Sequence, residues 1–219
     1  SGLVGSEMCI RDSLESILAK NPDLVVISYN PGNLVRSLHQ ANVKVLFLNA
    51  ASKLAGSYWQ MRLLGRVTNH SEQANRVVTG ISAHIRNKAK EVPSGLGAVK
   101  FYHELDNTMY SITSSTFIGS LYKLAGLTNI ADRAPGASYG YPQLSSEYIV
   151  QANPSLIFLA DAKCCGQSYT TLKSRPGFST ITAIKNTQVY TLNEDIASRW
   201  GPRTPLLFDA IVNAVKKLK

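Results

Sequence analysis

Tyr29, Tyr102, Arg199, Trp200 and Arg203 fall where the chain would leave a β-strand, and Tyr139 and Tyr141 in a loop just before the helix that begins near Ser145. Flat rings and a few fixed cations at such points suit a flat, polar, anionic small molecule. Any one aromatic could equally be packing, so the set carries more weight than its members. Covalent or hydrolytic machinery is not visible in the motifs. The chain has no GxGxxG after a strand, no Walker loop and no HExxH. Its four histidines, His39, His70, His84 and His103, do not cluster. The first three fall on helical surfaces, where a solvated ring is expected. His103, beside Glu104 in "FYHELD", is the one candidate for a cleft, although neighbours on a strand point to opposite faces. Cys164 and Cys165 are adjacent, lack metal-ligand spacing and form no CxxC, so packing or loop structure is expected for them.

The elements that must position these residues are written twice. "SLESILAKNPDLVVIS" begins at Ser13 and "SSEYIVQANPSLIFLA" at Ser145. They match Glu15 with Glu147, Asn21-Pro22 with Asn153-Pro154 and Leu24 with Leu156, without a gap. A second echo follows, "VKVLFLN" ending at Asn49 and "TQVYTLN" ending at Asn193. The period is too long for a solenoid, and two copies of one α/β unit are expected. Each copy reads as a short helix, an apolar β-branched strand, further helix and a second strand, the pattern of a parallel sheet. "DLVVIS" is expected to be buried on both faces. Between the copies the chain reads as almost wholly helical from residue 52 to 92, with an apolar stripe of Ala74, Val77, Val78, Ile81 and Ile85. Three segments follow: a partial first lobe over residues 14–66, a connecting helix over 67–93 and a second lobe over 94–219. Open parallel sheets bind ligands at the carboxyl ends of their strands, where the aromatics lie.

Glu15 and Glu147 each sit in a first helical turn, where an acid gains roughly 0.3–1 kcal/mol from the helix dipole. That would justify an acid anywhere nearby. It does not explain the same position in both copies, which points to a function using both lobes alike.

The net charge of +9 would suit an anionic partner. The basic residues are scattered, however, without the aromatic interleaving that single-strand binders need, and no nucleic-acid partner is expected. Three cysteines are too few for a disulfide scaffold. "LVGSEMCIRDS" (residues 3–13) resembles the translation of a transposase sequencing adaptor. The natural sequence is therefore expected to begin near Ser13, in mid-gene, with its amino-terminal strand-helix segment and any signal segment upstream of it.

"SLESILAKNPDLVVIS", "YPQLSSEYIVQANPSLIFLA" and "SRPGFSTITAIKNTQVYTLNEDIASRWGPR" together resemble the class III solute-binding proteins of ABC importers. The resemblance runs from about Leu14 to the end. It implies two Rossmann-like α/β lobes joined by one long helix, with an iron-siderophore, haem or cobalamin-like ligand held between them. The partners it implies are that ligand and the importer's permease. It implies neither an enzyme nor a cofactor or metal, and a monomer outside the cytoplasmic membrane. Glu15 and Glu147 match the family's permease-docking acids. Tyr29, Tyr102, Glu104, Tyr139, Tyr141, Arg199, Trp200 and Arg203 are the expected ligand contacts. Two other classes remain: a chelatase-like α/β enzyme, which would need a His–acid pair in a cleft, and a zinc or manganese carrier, which would need several converging His and carboxylate ligands.

Overall fold

The computed structural model describes residues 14–197 and 200–218. The adaptor-like stretch with Cys9, and Arg199, lie outside the described residues. The chain divides into two compact units, residues 1–50 and 51–219. The boundary therefore falls before the helical stretch and not within it.

In the first unit, helix α1 covers residues 14–18 among those described. β1 (Leu24–Ile27), α2 (Leu34–Gln40) and β2 (Lys44–Phe47) follow. β1 and β2 pair in parallel, with Val25 opposite Val45 and Ile27 opposite Phe47. α2 buries Leu34 and Leu38, four residues apart on one face. The expectation that "DLVVIS" is buried on both faces fails. Among the described residues β1 has β2 as its one neighbour, and Val26 keeps 46% of its surface exposed.

The second unit begins with α3 (Leu54–Val67) and α4 (Ser71–Ala89). The expected connecting helix is thus shorter, because the chain reverses at Thr68–His70, where Asn69 takes a left-handed φ of 60°. Val78, Ile81 and Ile85 form the buried stripe of α4, whereas Val77 turns outward, 41% exposed. Then come β3 (Lys100–Glu104), α5 (Phe117–Leu124), β4 (Thr128–Asn129), α6 (Ser146–Ala152) and β5 (Leu156–Leu159). The short helices α7 (Ala162–Cys165), α8 (Tyr169–Lys173) and α9 (Thr182–Lys185) lead to β6 (Val189–Thr191), α10 (Glu194–Ala197) and α11 (Thr204–Val215).

The strands form a four-stranded, all-parallel sheet in the order β4-β3-β5-β6. Alternate side chains enter two cores, as strand geometry requires. Phe101, Leu156 and Phe158 pack with α4, α5 and α11, where Tyr122 stacks on Phe101 at 4.1 Å between ring centroids. Tyr102, Ile157 and Leu159 pack on the other face with Ile149, Leu172 and Phe178. Among the described residues no helix is long and apolar enough to cross a membrane.

The written repeat is also a repeat of register. Val25 faces Val45 as Ile157 faces Val189, and Ile27 faces Phe47 as Leu159 faces Thr191. The next backbone bond repeats too: Leu48 N–H donates to Ile27 O, and Leu192 N–H to Leu159 O, both at 2.8 Å.

Candidate functional site

In the order β4-β3-β5-β6 the chain steps to one side of β3 and then returns to the other. The topological switch point therefore lies between the carboxyl ends of β3 and β5, where open sheets bind ligands. Two loops rise from this end of the sheet, residues 105–116 after β3 and 130–144 after β4. Backbone hydrogen bonds stitch them together. Ser111 N–H donates to Pro142 O (2.9 Å), Thr113 N–H to Gly140 O (2.8 Å) and Leu144 N–H to Met109 O (3.0 Å). Buried Asn129, closing β4, anchors both: its Nδ2 donates to Ile112 O at 2.7 Å and its Oδ1 accepts from Ala131 N–H at 2.9 Å.

Two glycines let the layers meet. A Cβ on Gly119 of α5 would stand 1.9 Å from Thr113 O, so only glycine lets α5 pack on the loop. Gly140 has φ 84°, and a Cβ there would press on Thr116 Cγ2 at 3.2 Å. On this frame Tyr139 is 86% exposed, Tyr141 53% and Tyr110 41%. The first unit carries a matching feature after β1, where Tyr29 is exposed.

Beneath the rim lies a buried polar cluster. Arg175 grips Glu104 with both terminal nitrogens, Nη1 to Oε2 and Nη2 to Oε1, each at 2.7 Å. Tyr102 donates its hydroxyl proton to Glu104 Oε2 at 2.9 Å, and Arg175 Nη2 also reaches Gln167 Oε1 at 2.7 Å. Burial, and then the charge of Glu104, push the Tyr102 hydroxyl well above its usual pKa. On the opposite face of β3, His103 is fully buried, with Nδ1 2.9 Å from the Tyr122 hydroxyl. Burial drives its pKa down to about 3, so the ring is neutral. Among the described residues no three His, Cys, Asp or Glu side chains are placed to hold a metal ion.

A family model described as periplasmic binding protein matches residues 11–196. The chain belongs to that family. It is similar to the ABC transporter substrate-binding lipoprotein YvrC of Bacillus subtilis strain 168, 24% identical over 87% of this chain and 61% of that one. A cobalamin-binding protein of Halobacterium salinarum is 30% identical over 67% of this chain and 40% of its own length. The chain thus spans less than two thirds of either relative. A vitamin B12-binding protein of Pectobacterium carotovorum is 26% identical over 94% of this chain and 72% of its own. Among solved structures, a possible iron-binding (periplasmic solute-binding) protein of Staphylococcus epidermidis superposes with a TM-score of 0.79 at 23% identity, covering 93% of this chain and 80% of that one. The vitamin B12-binding protein BtuF of Vibrio cholerae gives 0.75 at 20% identity, covering 93% and 77%. These two likenesses show the fold.

For a periplasmic binding protein, the expected contacts sort into three groups. Tyr29, Tyr139 and Tyr141 are exposed in loops that follow strands, and Arg203 is exposed in the turn between α10 and α11. Trp200 is half-buried, its Nε1–H donating to Gln60 Oε1 at 2.9 Å while the ring packs on the core. Tyr102 and Glu104 need correction. Tyr102 lies inside β3 rather than after it, and both side chains are sealed in the core by their bonds to each other and to Arg175. His103 is likewise a core residue and not a cleft group.

Arg203 neither caps α11 through its side chain nor is buried. Sequence reasoning missed Tyr110, which lies in the loop after β3. It also missed the partner of Arg175, because the RPGF motif gives no hint of a glutamate 71 residues away.

Glu15 and Glu147 are both exposed. The backbone N–H of Glu147, and then the Ser145 hydroxyl, hold its carboxyl below the usual range.

Proposed function

We propose that this chain is the solute-binding component of an ABC importer, which takes up a metal chelate or tetrapyrrole outside the cytoplasmic membrane and presents it to the permease. The observation that carries this reading is the exposure of Tyr110, Tyr139 and Tyr141 on the two loops that follow β3 and β4, which backbone hydrogen bonds lock together. Exposed rings on a rigid frame lose little freedom when a flat ligand stacks on them, and their hydroxyls offer polar contacts at its edge. Family membership and the relatives named for vitamin B12 and cobalamin support the same class of ligand.

Glu15 and Glu147 are the proposed docking acids, acting from the surface to orient the protein on its partner. The reading takes the chain as a monomer with no enzymatic step, since capture and release need no bond made or broken. Titrating the protein with haemin, cyanocobalamin and a ferric siderophore, followed by visible absorption, tests it. One of the three should give a saturable spectral change at one ligand per chain. A flat response to all three would overturn the reading.

A further inference from the structure

The buried cluster contains more acid than its one guanidinium can neutralise. Asp161 follows β5 directly and is fully buried, and among the described residues neither carboxyl oxygen has a donor bonded to it. It stands beside Glu104, because the neighbouring Ala160 N–H donates to Glu104 O at 2.9 Å across the β3–β5 pair. Arg175 is already spent on both oxygens of Glu104 and on Gln167. Asp161 opens α7 but makes no side-chain bond to it.

An ionised Asp161 would therefore be a second buried negative charge with no hydrogen-bonded cation among the described residues, an arrangement proteins avoid. A proton resolves it. Protonated Asp161 becomes a donor, and the oxygens of Glu104 are the acceptors beside it.

We propose that Asp161 and Glu104 share one proton, and that this proton fastens the loop of residues 162–168 to the ligand-facing end of the sheet. The groups acting on the pair come from each packed element: Tyr102 and Glu104 from β3, Arg175 from the turn after α8, and the Asp161 backbone from the start of α7. Lys163 on α7 is exposed. Burial first, and then the charge of Glu104, raise the Asp161 carboxyl to about 7. Arg175 ties the arrangement to the loop through Gln167, whose Nε2 donates to Cys165 O at 3.1 Å. Loss of the proton places two charges side by side under this loop and loosens it. The effect on ligand binding rests on the rim being the ligand face, whereas the shared proton does not.

The folded chain holds this proton more tightly than the unfolded chain, whose aspartates titrate near 3.9. The stability it contributes is complete below about pH 4 and is lost as pH rises to about 7. The test uses the whole chain with ¹³C-labelled aspartate and no ligand, so its outcome is independent of the function proposed above. Asp161 Cγ should titrate with a midpoint near 7, and the amides of residues 162–168 should shift with the same midpoint. In Glu104→Gln the Asp161 midpoint should fall, and in Asp161→Asn the melting temperature should gain on the parent as pH rises from 5 to 8. A midpoint near 4 in the parent, or amides of 162–168 that do not follow it, overturns the proposal. So does an Asp161→Asn variant whose melting temperature tracks the parent's at every pH.

Discussion

Asn21 and Asn153 adopt the same left-handed backbone conformation, with φ 46° and 48°, each following a helix that carries an exposed glutamate. Each precedes a proline, which cannot continue the helix, so the chain turns straight into a strand. Asn153 adds a bond of its own, its Oδ1 accepting from Thr182 N–H at 2.8 Å. Asn153→Ala should destabilise the protein by about 1–2 kcal/mol from the left-handed conformation alone. Asn153→Gly should recover most of that, leaving the loss of the Thr182 bond. Urea unfolding of the three proteins measures both, and an unchanged midpoint for the alanine variant would refute it.

The paired glutamates lead to a transport prediction. Glu15→Lys and Glu147→Lys should each abolish importer-dependent uptake in cells while leaving ligand affinity within about threefold, because rim charges govern encounter more than holding. A double reversal that transports normally would remove both residues from the docking role.

Arg175 is the sole cation bonded to buried Glu104 among the described residues, and its removal should be severe. Arg175→Leu should cost about 3–5 kcal/mol at pH 8, the penalty of leaving a buried charge unpaired. Glu104→Met combined with Arg175→Leu should cost less than Arg175→Leu alone. Equal costs in chemical denaturation would mean that the pair is not energetically coupled.

His103 sets a limit on the acid side. Its folded pKa of about 3 lies below the ordinary value near 6.5, so the folded protein resists a proton that the unfolded chain accepts. The stability from a neutral His103 is complete above about pH 6.5 and is lost as pH falls towards 3. His103→Gln can keep a bond to Tyr122 without titrating, and should lose stability less steeply across that window. A variant as acid-sensitive as the parent would assign the effect to other groups.

The repeated helix-strand elements were legible in the sequence because strand pattern and helix-ending Asn-Pro are local signals. The rim tyrosines were legible for the same reason: strand ends can be read, and Tyr139 and Tyr141 lie in a loop rich in turn residues. Tyr102 was misplaced because a strand boundary shifts easily by two residues, and here two residues separate a surface from a core. The cluster of Glu104, Asp161 and Arg175 was illegible because it is made by pairing β3 with β5, whose residues stand far apart in sequence. A β-branched run such as β1 records the preference for a strand and not how many neighbours it has.

The claim at the centre of this account is that ligand binds at the carboxyl ends of the strands, on the tyrosine-bearing loops. Amide chemical-shift mapping of the whole chain tests it most directly, titrated with whichever of haemin (as its diamagnetic zinc porphyrin), cyanocobalamin or a gallium-loaded siderophore saturates it. The account predicts that the largest changes fall in residues 105–116 and 137–142, and that Tyr139→Ala with Tyr141→Ala weakens binding at least tenfold without lowering the melting temperature. Changes concentrated instead around Leu96–Ala98, Ser155 and Gln188, at the amino ends of the strands, would contradict it.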